Sequence, residues 1–147
     1  MDMSGEYRIN APIQTVWDAI QNPDILRVAI PGCEELDKTS DTEMSAKVSL
    51  KIGPVKAKFA GEVTLKDMVA PSALKIEGEG KGGIAGFAKG GAAVQLAEDG
   101  ADTILTYQAE AQVGGKIAQL GSRLIQSTAA KLADKFFANL KDELEDA

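Results

Sequence analysis

Four polar side chains fall where their strand or helix neighbours are apolar: Tyr7, Thr103, Tyr107 and Thr128. They are the groups that would meet a molecule held inside the fold. A hydroxyl at such a position either donates to a bound carbonyl or is satisfied by backbone and water. Side chains that move protons are scarce. The chain has no histidine, the commonest general base near neutral pH. Its acidic residues fall mainly in turns and on outward faces, so a carboxylate pair aimed at a substrate is not expected. Cys33 is the one cysteine. Without an imidazole to activate it, a structural role is expected. No Cys/His cluster offers a zinc site. These residues point to binding without catalysis and without a cofactor.

Gly78-Glu79-Gly80-Lys81-Gly82-Gly83 has the spacing of a dinucleotide fingerprint. It leads into another strand rather than a helix, so no helix N-terminus awaits a pyrophosphate. The stretch from Gly78 to Gly91 holds seven glycines among Ile84, Ala85, Phe87 and Ala88. The sharper reading is a mobile lid with Phe87 at its apolar tip, facing a cavity mouth; the plain one is a flexible loop. Trp17 reads as core, and Arg123 as a solvated residue or partner contact.

The elements that would position these groups follow from periodicity. Met3 to Asn10 alternates with the period of a half-buried strand. Pro12 opens a short helix over 13–20, and Asp24 to Val28 form a second, ended by Pro31-Gly32. From Cys33 to Val113 the chain is nearly all strand. Met44, Ala46, Val48, Leu50 and Ile52 share one face. After Gly53-Pro54 the inward phase switches to Val55, Ala57, Phe59, Gly61, Val63 and Leu65. A two-residue type II′ hairpin predicts that switch, with Ile52 opposite Val55 and Leu50 opposite Ala57. Further strands span 73–80, 87–98 and 103–113. Beyond Gly114-Gly115 a long helix runs from Lys116 to about Leu144, its stripe made by Ile117, Leu120, Gly121, Leu124, Ile125, Thr128, Leu132, Phe136 and Leu140. Asp142, Glu143, Glu145 and Asp146 oppose the helix dipole, so fraying is expected there.

The fold class is therefore α+β: a curved antiparallel sheet of about seven strands, two short helices after the first strand, and a long C-terminal helix across the concave face. The whole chain, 1–147, reads as one domain. The inward positions are unusually small: Gly5, Ala46, Ala57, Gly61, Gly78, Gly80, Ala92, Ala109 and Ala111. Such a face either admits the helix closely or leaves space for a ligand.

The net charge of −6, from 22 acidic and 16 basic side chains, argues mildly against a nucleic-acid or anionic-membrane partner, since both need a basic surface. Lys47, Lys51, Lys56 and Lys58 cluster around one turn and read as a solvated strand face. A single cysteine suits a reducing, cytoplasmic compartment. The N-terminus lacks the pattern of a secretory signal, and no apolar run approaches the ~20 residues of a membrane span. Oligomeric state is not legible.

Four segments carry a family resemblance: Pro31-Gly32-Cys33-Glu34, Gly53-Pro54-Val55-Lys56, Gly86-Phe87-Ala88-Lys89-Gly90, and above all Gly114 to Ile125 with Gly121-Ser122-Arg123 at its centre. With Lys131 to Phe137 they resemble the carbon monoxide dehydrogenase G-subunit family. The resemblance implies a START-like helix-grip fold holding a hydrophobic ligand between sheet and helix. It also implies an accessory role beside molybdenum hydroxylases, linking them to the membrane through quinone binding. The ligand contacts expected are Phe59, Val63, Phe87, Leu96, Tyr107, Leu120, Leu124 and Thr128. Longer members continue into a membrane-anchoring tail, whereas this sequence stops at Ala147. Direct anchoring is therefore not expected, and transient contact at the inner face of the membrane would fall to the glycine-rich loop. START-like relatives also include cyclases and dehydratases, which keeps an enzyme as the alternative, beside a recruitment factor with a filled interior.

Overall fold

The computed structural model describes residues 2–145. Strand β1 (Asp2–Ile9) leads through two short helices, α1 (Ile13–Ala19) and α2 (Pro23–Ala29), into β2 (Cys33–Lys38). The meander β3 (Glu43–Ile52), β4 (Val55–Val69), β5 (Ala73–Lys81), β6 (Phe87–Asp99) and β7 (Asp102–Gly114) follows, and α3 (Ser122–Glu145) closes the chain. All pairings are antiparallel, in the order β1-β7-β6-β5-β4-β3-β2. The last strand of the meander thus returns to pair with the first strand of the chain.

Local chemistry sets the element ends. Asn22 caps α2 by accepting the Asp24 backbone N–H at 2.9 Å, with Pro23 in the first turn. Gly53 has φ +58°, as the first central residue of a type II′ turn requires, and the proline after it supplies the fixed negative φ. Ile52 pairs with Val55 and Leu50 with Ala57, the register that the phase switch predicts.

The long helix starts later than its apolar spacing suggests. Lys116–Leu120 is a 3-10 turn, bounded by Gly115 at φ +82° and Gly121 at φ +99°. A left-handed glycine cannot continue a right-handed helix, so α3 begins at Ser122. The spacing of Ile117 and Leu120 imitates a helical stripe because both residues turn inward from the 3-10 segment. At the other end the expected fraying is absent as far as Glu145. Leu144 is buried, and the Glu145 carboxylate accepts the Asn10 N–H at 2.9 Å. Asp146 lies outside the described residues.

Two apolar clusters fill the concave side. The larger joins Trp17, Leu26, Leu65, Leu74, Leu105 and Phe137, among others. The smaller comprises Ile52, Ala57, Phe59, Ala85, Ile117 and Ile125.

A candidate apolar ligand cavity

The rows running across the sheet explain why the two clusters are separate. One inward row reads Ala46, Gly61, Gly80, Ala88, Val113, and the next reads Val63, Gly78, Gly90, Ala111. Nearly every position in these rows is glycine or alanine, so little side chain reaches toward the helix. On one side the row of Leu74, Val94 and Tyr107 belongs to the larger core. On the other lie Phe59 and Ile117, in the smaller. Between them is a cavity of about 310 Å³, roofed by Ile125, Thr128, Ala129 and Leu132 of α3.

Small residues here serve two purposes. A Cβ at Gly61 would sit 1.9 Å from the Glu79 carbonyl oxygen, so glycine there permits close backbone approach. A Cβ at Gly78 would meet nothing nearer than the Glu62 carbonyl oxygen at 3.9 Å, so its missing side chain is empty space. Protein interiors normally close such space, because voids forfeit dispersion contacts.

The lining is almost wholly apolar. Glu62, Glu79 and Lys89 border the cavity but are exposed on the outward phase of their strands. Thr128, half-buried on the inner side of α3, is the polar side chain the roof presents. The space suits a molecule that is mostly apolar and carries at most a few hydrogen-bonding atoms.

Of the expected contacts, Phe59, Val63 and Thr128 line this cavity, while Phe87, Leu96, Tyr107, Leu120 and Leu124 do not. Leu96 and Tyr107 lie in the larger core, beyond the small-residue rows. Leu120 packs on the smaller cluster. Leu124 is half-buried against the β3–β4 turn, its Cδ2 lying 2.8 Å from where a Cβ at Gly53 would be. Phe87 opens β6 on the outward phase and is 43% exposed. Its ring covers Gly114, where an added Cβ would come within 2.3 Å of it. The connection over 82–86 is a tight turn, closed by the Gly82 N–H donating to the Gly86 carbonyl at 2.7 Å. Its tip is Ile84, 90% exposed.

The inward-facing hydroxyls have other work. Thr103 donates to the Ala11 carbonyl at 2.8 Å. Tyr7 and Tyr107 each donate to Asp134 Oδ1 at 3.3 Å, and the Tyr107 ring stacks on Phe137 at 4.1 Å between centroids. Burial, followed by the Asp134 charge, pushes the Tyr107 phenol up to about 12 and raises Tyr7 for the same reasons. This group ties α3 to the sheet and keeps both phenols protonated. Asp134 and Phe137 lie off the expected helix stripe. Burial also raises the Cys33 thiol, whose Sγ donates to the Glu35 carbonyl at 3.3 Å, so the reactive thiolate is disfavoured.

A curved antiparallel sheet gripping a long C-terminal helix over such a cavity defines a START-like helix-grip protein. The chain belongs to the family of the carbon monoxide dehydrogenase G subunit (CoxG), whose model matches residues 5–145. None of the curated proteins matches it. Among solved structures, a conserved protein from Geobacillus kaustophilus is 28% identical with a TM-score of 0.88, covering 98% of this chain and 95% of that one. A STAR-related lipid transfer protein from Xanthomonas axonopodis is 20% identical with a TM-score of 0.65, covering 97% and 85%. The Zhui aromatase/cyclase from Streptomyces sp. R1128 is 12% identical with a TM-score of 0.65, covering 99% and 93%. No helix among the described residues is long and apolar enough to cross a membrane.

Proposed function

We propose that this protein is a non-enzymatic accessory protein of the cytoplasm that holds an apolar, quinone-like molecule in its cavity. In this reading it docks a molybdenum hydroxylase of the carbon monoxide dehydrogenase type. The observation that carries the ligand is the apolar space of about 310 Å³, bounded by rows of glycine and alanine. The family name supplies the partner, and a lipid transfer protein of the same fold supports an apolar cargo. A cyclase also shares the fold, but the wall here offers Thr128 and no imidazole or inward carboxylate. That leaves nothing on the wall to shuttle protons.

Thr128 separates a quinone from a plain hydrocarbon, since a quinone oxygen can accept its hydroxyl hydrogen. Thr128→Val keeps the shape and removes the donor. It should weaken a soluble quinone analogue about three- to tenfold in calorimetric titration and leave an alkyl ligand unchanged. Unchanged quinone affinity would remove the polar half of the proposal. Purified protein should also co-elute with a purified hydroxylase of this type, and failure to do so would remove the docking half.

A further inference from the structure

The sheet has two edges, β1 and β2, and they are guarded differently. An edge strand offers unpaired N–H and C=O groups, and proteins blunt such edges with short strands, bulges, lysines or a covering element. β2 has all of these. It is six residues long and ends on Lys38, its register shifts between Cys33 and Glu35, and α2 packs against it. β1 runs for eight residues without a lysine or a proline, in unbroken register with β7.

The direction of its backbone groups follows from the β6–β7 hairpin. Asp99 and Asp102 flank the two-residue turn Gly100-Ala101, and such a flanking pair is hydrogen-bonded. Alternation then gives the even residues of β7 to β6 and the odd ones, Thr103, Leu105, Tyr107 and Ala109, to β1. Their partners are Ile9, Tyr7, Gly5 and Met3. Asp2, Ser4, Glu6 and Arg8 therefore aim their N–H and C=O groups off the sheet, and all four residues are exposed. Among the described residues no backbone hydrogen bond from another element reaches Ser4, Glu6 or Arg8.

We propose that two copies of this chain pair through β1, antiparallel about Gly5, so that their sheets join into one. Outward groups must meet outward groups, so even residues pair with even. The register about Gly5 sets Asp2 opposite Arg8 of the second copy and Ser4 opposite Glu6 of that copy, and by symmetry the opposite charges meet twice. Centring on Glu6 would set that carboxylate against itself. Centring on Tyr7 would run past Ile9, where the chain leaves the edge toward α1. At the centre the two Gly5 residues form a non-hydrogen-bonded pair, the place where antiparallel strands come closest. On the inner face Met3 meets Tyr7 of the second copy, and both are only half-buried in the single chain. Arg8 bonds Asp99 and Asp102 yet keeps 51% of its side chain exposed, and its guanidinium has donors to spare.

The test is sedimentation equilibrium of the purified chain from about 1 to 100 μM, the range of a dimer held by one pair of strands. The wild type should pass from monomer to dimer across it. Ser4→Pro removes an outward N–H and no bond to β7. It should weaken the dimer at least about tenfold while circular dichroism and urea unfolding stay as in the wild type. Asp2→Lys sets like charges opposite each other and should weaken the dimer as much. The register is read by mixing Ser4→Cys with Glu6→Cys chains, whose Cα atoms would lie about 5.5 Å apart, within disulfide reach. The mixture should cross-link faster than either variant alone, with the wild type, which carries only Cys33, as control. A wild type that stays monomeric at every concentration would overturn the proposal. So would a dimer that survives either substitution, or a mixture that cross-links no faster than its components. Should Ser4→Pro fail to fold, Asp2→Lys and the cross-link decide.

Discussion

Filling the cavity from the sheet side should strengthen the fold and remove the ligand at once. Gly78 is the position for it: a Cβ there has 3.9 Å to its nearest neighbour, and the backbone does not need a positive φ. In Gly78→Leu an isobutyl group enters the space of about 310 Å³. Burying a leucine side chain contributes about 1.5–3 kcal/mol, and removing glycine from a strand adds roughly 0.5–1 kcal/mol. Ordering the new side chain takes back about 0.5–1 kcal/mol. The net expectation is a gain of about 1–3 kcal/mol in urea unfolding. A ligand that must share the space meets overpacking worth at least about 1–3 kcal/mol, so affinity for a quinone analogue should fall by about tenfold or more. Gly61→Ala is the control, since its Cβ would lie 1.9 Å from a carbonyl oxygen, and it should destabilise the fold. A Gly78→Leu protein less stable than wild type would mean that the space is not free. Undiminished affinity would mean that the ligand binds elsewhere.

Ile117 is fully buried at the cavity end, so Ile117→Ala should cost about 2–5 kcal/mol in urea unfolding; a loss below about 0.5 kcal/mol would contradict its placement. Tyr107 binds its proton more tightly folded than unfolded, with the phenol raised from 10.0 to about 12. Its contribution is therefore fully present below pH 10 and lost as pH rises through about 12, because the unfolded chain releases the proton first. Unfolding midpoints measured across that window should fall with pH, and Tyr107→Phe should flatten the fall, leaving the smaller part due to Tyr7. An equal slope in both proteins would refute the coupling.

The β3–β4 hairpin is legible to the residue because parity and turn chemistry agree there: a glycine–proline turn of two residues forces the phase change between Ile52 and Val55. Parity also separates inward from outward along the other strands. It says nothing of which interior layer a residue occupies. Leu96 and Tyr107 are inward but lie in the packed layer, while Val63 and Phe59 border the empty one. That difference depends on strand register across the sheet, where Gly78 meets Gly90 and Gly90 meets Ala111. The strand expected over 87–98 starts where β6 does, but Phe87 as its first residue beside the glycines also reads as a loop tip. Counted back from Leu96, Val94 and Ala92, its odd position is outward. The tip of the 82–86 turn falls instead to Ile84. The late start of α3 turns on the positive φ of Gly121, which a helical spacing on both sides conceals. Asp134 gives no periodic signal, since its partners Tyr7 and Tyr107 are far from one another in sequence and meet only because β1 pairs with β7.

The central claim is that the space between the two apolar clusters receives an apolar molecule. Methyl-resolved NMR of the labelled protein, titrated with a soluble quinone analogue, tests it directly. Saturable shifts should concentrate at Val63, Val113, Ile117, Ile125 and Thr128, and leave Leu26 and Leu144, in the larger core, in place. Shifts absent at those five residues, or spread over the exposed methyls of Val28 and Val69, would contradict it.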